Sequence, residues 1–190
     1  MNIAIIMLAA GKSERFKLQG GEHKLLVPIQ GRPLIDYALQ SAISTGLDTY
    51  LVTQPEETAL HHLVAAEALI TYPSRGLGES IAIAVNHTAH YDGWVVTLAD
   101  MPFIRSDTYL AVAEQLRYAE CVRPRYQNHY GHPVGFARTL YSSLTALQGD
   151  RGARHLFQQT PYATLQTDDQ GCIIDIDTPD SLARYLCLFP

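Results

Sequence analysis

Three short segments carry residue types suited to handling phosphate, and each closes an apolar run. The first is Leu8-Ala9-Ala10-Gly11-Lys12-Ser13-Glu14-Arg15, directly after the apolar stretch 3–8. A turn of small residues lets backbone N–H groups approach an anion, and Lys12, Arg15 and Lys24 can add cationic contacts to phosphates. It is not a Walker A loop, which needs a glycine where Ile6 stands, and no G-x-G-x-x-G fingerprint follows the stretch. A tight turn with a solvated basic tail is the plainer alternative.

The second segment is Leu98-Ala99-Asp100-Met101-Pro102, after the strongly apolar stretch 94–98. In open α/β sheets ligands sit beyond the carboxyl ends of strands, where an Asp is a hard-oxygen ligand suited to Mg²⁺. The same Asp can simply cap the turn before Pro102. The third segment is Asp175-Ile176-Asp177-Thr178-Pro179, where Asp177 can join Asp100 on one cation. Thr178 before Pro179 also reads as an ordinary helix N-cap.

Weaker signals complete the set. The glycines of Gly76-Leu77-Gly78-Glu79-Ser80 allow close backbone approach to a ligand, and Ser80 can cap a helix or bond a base or ribose. In Gly131-His132-Pro133-Val134 and Gly149-Asp150-Arg151-Gly152-Ala153-Arg154, the arginines can meet a phosphate, and nearby Tyr126 and Tyr130 can stack on an aromatic ligand. A histidine such as His132 serves more often as a structural hydrogen-bonding residue than as a catalyst. The histidine pairs 61/62, 87/90 and 129/132 find no third partner for a zinc site.

These segments need elements to position them. Residues 3–8 and 94–98 read as strands buried on both faces, 50–53 and 69–72 as shorter strands, and 33–43, 56–68, 80–89 and 106–117 as helices, the last with Ser106 as N-cap. Further on, apolar pieces at 122 and 134–136, helical patterns at 139–147 and 153–158, a strand at 172–176 and a helix from Pro179 are expected. Strands alternating with helices imply a mostly parallel, doubly wound α/β sheet. No linker or repeat interrupts the 190 residues, so one domain is expected over 1–190.

The chain has 14 Lys+Arg against 19 Asp+Glu and a formal charge of −5, which argues against coating nucleic acid. Its only lysines, Lys12, Lys17 and Lys24, nevertheless fall in one loop after the first strand. No apolar run approaches the roughly 20 residues that a bilayer needs, so no membrane association is expected. Cys121, Cys172 and Cys187 are odd in number and widely spaced, which fits a reducing cytoplasm. The start, MNIAIIMLAAGK, reads as a first strand and not as a signal peptide.

Taken in order, Leu8-Ala-Ala-Gly with Arg15 and Lys24, Gly76-Leu-Gly-Glu-Ser80, Leu98-Ala-Asp-Met-Pro102, Gly131-His-Pro-Val134, Gly149-Asp-Arg-Gly-Ala-Arg154 and Asp175-Ile-Asp-Thr-Pro179 resemble the MobA-like nucleotidyltransferases. The nearest branch is similar to the molybdenum cofactor cytidylyltransferases. The resemblance implies a nucleotide-diphospho-sugar-transferase-like fold, with a nucleotide-binding part at about 1–105 and an acceptor-binding part at about 106–190. It further implies Mg²⁺-dependent transfer of CMP from CTP to a molybdopterin-type acceptor, with release of pyrophosphate, and a molybdoenzyme or maturation factor as partner.

Residue by residue, the resemblance places Leu8, Ala9, Ala10, Gly11, Lys12, Ser13, Gly78 and Ser80 around the nucleotide and Arg15 on the triphosphate. Lys24 falls near the reacting phosphate, Asp100 and Asp177 on Mg²⁺, and His132, Pro133, Arg151 and Arg154 at the acceptor. Residues 16–23 are longer than the family's usual spacing, which leaves Lys17 as the alternative to Lys24 for the family lysine. Guanylyltransferases carry a second glycine where Ala10 stands, so Ala10 inclines the reading toward CTP over GTP. A different phosphorylated acceptor, or a non-catalytic cofactor carrier on the same fold, are the competing expectations.

Overall fold

The computed structural model describes residues 1–11, 16 and 23–189. Strand β1 (Ile3–Leu8) is buried along its whole length. Its side chains alternate between two cores: Ile3, Ile5 and Met7 belong to the one that includes Ala38, Leu39 and Val112, and Ala4, Ile6 and Leu8 to the one that includes Ile81, Val85 and Leu144. An apolar run with no polar position is what a strand covered on both sides requires. Each such side chain withdrawn from water contributes about 1.5–3 kcal/mol.

After β1 the chain forms a small hairpin, β2 (Pro28–Ile29) and β3 (Arg32–Pro33), turning on Gln30 and Gly31, both with positive φ. Then come α1 (Leu34–Ile43), β4 (Thr49–Thr53), α2 (Thr58–His61), β5 (Leu69–Thr71), α3 (Leu77–His87), β6 (Gly93–Leu98) and α4 (Ser106–Gln115). The second half holds β7 (Cys121–Tyr126), β8 (His129–Tyr130), β9 (Val134–Ala137), α5 (Tyr141–Thr145), α6 (Leu156–Gln159), β10 (Tyr162–Thr167) and α7 (Pro179–Tyr185). The main sheet runs β10-β7-β9-β6-β1-β4-β5, with β8 paired to β7 off that path.

The sheet is mostly parallel, as expected. β9 alone in the path runs against its neighbours β6 and β7. The reason is the connection: β7 turns back at Gln127, whose φ is +52, into β8 and β9 without a crossover helix, and a short turn can only join antiparallel strands. β7 therefore points the same way as β1 and β6, and their carboxyl ends share one side of the sheet.

Three expectations differ, and one strand is additional to them. Residues 56–68 are not one helix: α2 stops at His61, whose Nε2 meets Thr53 Oγ1 at 3.1 Å and the Gln54 carbonyl at 3.2 Å, and only a 3₁₀ turn (Ala66–Ala68) follows. Residues 172–176 are not a strand, because the buried Asp169 accepts from Gly171 N at 2.9 Å and tightens Gln170–Ile173 into a 3₁₀ turn. The same carboxylate accepts from Arg105 N at 2.8 Å and Thr108 Oγ1 at 2.6 Å, so Asp169 serves the start of α4 from outside, and Ser106 is its first helical residue, not its cap. Strand β10 was not anticipated at all; it alternates exposed Tyr162, Thr164 and Gln166 with partly buried Ala163 and Leu165. Among the described residues no helix is long and apolar enough to cross a membrane.

Candidate active site

The three segments singled out first meet at the carboxyl ends of β1 and β6. Ala9 N donates to Val52 O and Ala99 N to Leu8 O, which fixes both strand exits side by side. Ile176 N donates to the Asp100 carbonyl at 2.9 Å, laying the 175–177 segment along the end of β6. Asp177 is then held by α7: its N–H and that of Thr178 both donate to Ser181 Oγ at 3.0 Å, within a capping box in which Thr178 Oγ1 accepts from Ser181 N.

Lys24 begins a 3₁₀ turn (Lys24–Leu26) anchored by the buried Leu25. Its side chain is 11% exposed, and Nζ donates to Asp100 Oδ2 at 2.5 Å and to Asp177 Oδ1 at 2.6 Å. Burial works against the charge on Lys24, but the two carboxylates outweigh it and hold its pKa above the ordinary lysine value. An ammonium has three donors, so one N–H beyond these two bonds is left for a ligand. Asp100 Oδ1 is buried and has no hydrogen-bond partner among the described residues. Asp175, close by, has its carboxyl pushed up by burial and by the like charges of Asp177 and Asp100.

These groups open into a cleft of about 510 Å³ that is also lined by residues 8–11 and by Ser74, Arg75, Gly76, Leu77, Ser80 and Asp150. Gln54 Nε2 ties two of its sides together, donating to the carbonyls of Ala10 at 3.2 Å and Ser74 at 2.8 Å. Ser80 is buried, with its hydroxyl sharing a 2.7 Å bond with Ser74 Oγ. Gln54, Ser74 and Arg75 carry no signal in the sequence beyond their places after β4 and β5, and Asp150 falls in the Gly149-Asp150-Arg151-Gly152-Ala153-Arg154 segment, which the sequence reading directs to the acceptor.

The cleft thus brings together Leu8, Ala9, Ala10, Gly11, Lys24, Ser80, Asp100 and Asp177. Gly78 lies outside its lining: Gly78 N donates to Gly149 O at 2.9 Å, and a Cβ there would stand 2.4 Å from Arg151 O, so this glycine permits a close backbone approach. Arg151 and Arg154 are exposed and do not line the cleft. His132 and Pro133 also stand apart from it; His132 N donates to Cys172 O at 2.8 Å, and burial lowers the ring's pKa to about 4. Lys12, Ser13, Arg15 and Lys17 lie outside the described residues.

Residues 5–165 match the MobA-like NTP transferase domain. The chain belongs to this family. Among relatives of the MobA-like chain, the purine catabolism protein PucB of Bacillus subtilis is 29% identical over 92% of this chain and 91% of its own. The molybdenum cofactor cytidylyltransferase of Escherichia coli is 24% identical over 94% of this chain and 92% of its own. A solved structure of Rv0371c from Mycobacterium tuberculosis, in complex with manganese, has a TM-score of 0.83 at 26% identity and covers the whole of both chains.

Proposed function

We propose that this MobA-like chain transfers CMP from CTP to a molybdopterin-type acceptor, with Mg²⁺ held by Asp100 and Asp177. The observation that carries the reading is Lys24, which spends two donors on those carboxylates and keeps one for a phosphate oxygen. An oxygen of the acceptor's phosphate attacks the α-phosphorus, the bond from that phosphorus to the bridging oxygen breaks, and pyrophosphate departs with the electron pair. The attacking phosphate is already ionised, so the reaction needs positioning and charge neutralisation more than a strong base.

Lys24 meets the growing charge, while Ala9, Ala10, Gly11, Lys12 and Ser13 hold the nucleotide and Arg15 serves the triphosphate. The unpartnered Asp100 Oδ1 fits a hard cation. Among the described residues no three acids, histidines or cysteines gather on one point, and Mg²⁺ commonly takes only one or two carboxylates and completes its shell with phosphate oxygens and water. When bound there, Mg²⁺ would neutralise charge on the triphosphate. CTP is favoured over GTP because Ala10 puts a methyl group where guanylyltransferases carry glycine.

The test is a melting screen with each nucleoside triphosphate and Mg²⁺, followed by pyrophosphate release with the pterin acceptor. A ligand at a hundred times its dissociation constant stabilises by about 2.7 kcal/mol. CTP should raise the melting temperature more than GTP, and turnover should follow. Preferential stabilisation by GTP would move the reading to a guanylyltransferase. Tight pterin binding without turnover would move it to a carrier.

A further inference from the structure

Besides Asp100 Oδ1, the described residues contain three other buried polar side-chain atoms with neither a hydrogen bond nor an ion pair: Arg123 Nε, Arg125 Nε and His132 Nδ1. All three sit around β7 and the turn that leaves β8. Arg123 and Arg125 are two apart on β7 and so share one face of the sheet. Both guanidiniums press on the same ring: Arg123 Cζ is 4.7 Å and Arg125 Cζ 5.7 Å from the centre of Tyr130, and Arg123 also lies 5.5 Å from Phe157. Tyr162 braces Tyr130 edge-on at 6.1 Å.

Neither arginine forms an ion pair with a carboxylate among the described residues; Arg125 bonds only the neutral Asn128 Oδ1, at 3.0 Å. Arg154 adds a third positive charge close enough to repel that of Arg123. Buried N–H donors without acceptors are costly, and cations gathered in an acidic chain without counter-charge make the pattern of an anion site. The patch lies toward the carboxyl end of β7, on the side of the sheet where Asp100 ends β6. His132 is within electrostatic reach of both Arg123 and Asp175.

We propose that Arg123 and Arg125 form an oxyanion subsite, with Tyr130 as its orienting wall, that takes an anionic oxygen-bearing group of the acceptor other than the phosphate that reacts. This rests on the reading of the cleft as a transferase site and adds that the acceptor carries charge at two places. Paired guanidiniums suit such a group because their planar N–H forks match its oxygens.

The test is to follow the arginine Nε–H signals by NMR while inorganic phosphate is added to the whole protein, wild type and Arg125→Gln. Saturable shifts of the Arg123 and Arg125 signals, lost in Arg125→Gln and kept in Asp100→Asn, are expected. In the transfer assay, Arg125→Gln should raise the acceptor KM at least tenfold with kcat and the CTP KM unchanged, and Arg125→Lys should recover part of it. Signals that stay still at all phosphate concentrations, or an unchanged acceptor KM, would overturn the subsite. Phosphate shifts in a protein that turns over no acceptor would leave the subsite standing and remove the transferase reading instead.

Discussion

The backbone N–H of Ile176 donates to the carbonyl of Asp100 across 2.9 Å, although 76 positions of chain separate them. That bond brings the second acidic segment alongside the first, and Lys24 then closes the pair from a third part of the chain. The two acidic segments are therefore held together by a backbone bond and a cap, and the Lys24 ammonium offsets the repulsion between their carboxylates.

The cap that holds Asp177 gives a first expectation. Ser181→Ala removes the hydroxyl that accepts from Asp177 N and Thr178 N. Loss of such a cap costs about 0.5–2 kcal/mol, read as a lower denaturant midpoint at unchanged slope. Pyrophosphate release should fall as well, since Asp177 loses its backbone anchor; full activity at reduced stability would separate Asp177 from the reaction.

Lys24→Met removes the charge between two carboxylates that lie within 2.6 Å of it. Removing one preorganised charge stabiliser typically costs about 10²–10³ in kcat. Lys24→Arg should restore little, because the longer planar group does not fit a site built to these two distances. Steady-state kinetics of both variants decide the matter.

Two glycines in neighbouring motifs should behave oppositely. A Cβ at Gly78 would meet Arg151 O at 2.4 Å, while at Gly11 nothing stands within 4 Å. Gly78→Ala should destabilise by about 1–3 kcal/mol through overpacking. Gly11→Ala should leave stability within about 0.5 kcal/mol yet weaken nucleotide binding, because the methyl group enters the cleft. Chemical denaturation and nucleotide titration of the pair check both halves.

His132 provides a pH signature. Burial, with Arg123 adding to it, lowers its pKa to about 4 from an ordinary 6.5. The unfolded chain therefore binds the proton more readily between these values, so this contribution to stability is complete above pH 6.5 and is lost as pH falls toward 4. The difference in denaturation midpoint between wild type and His132→Asn should shrink over that window. A difference that is constant with pH would show that the ring is not buried in its neutral form.

The parts legible in the sequence are those where one kind of residue answers to one demand. The apolar runs of β1 and β6 and the Thr178-Pro179 helix start are legible in the sequence, and so is Asp100 at the end of β6; Asp177 is flagged at the end of a strand that the structure replaces with a 3₁₀ turn, and Lys24 through the family resemblance. What stayed hidden depends on partners far along the chain. Asp169 overrides a strand pattern by collecting donors from Gly171, Arg105 and Thr108. β10 is a half-polar edge that becomes a strand only beside β7, and Gln54 reaches the cleft only when Ala10 and Ser74 are brought to it.

The most direct test of the Lys24–Asp100–Asp177 centre is pyrophosphate release from CTP with Mg²⁺ and the pterin acceptor, comparing wild type with Asp100→Asn. Turnover is expected in the wild type, with a loss of at least a hundredfold in the variant and the same fold by circular dichroism. Equal rates for the two proteins would contradict it.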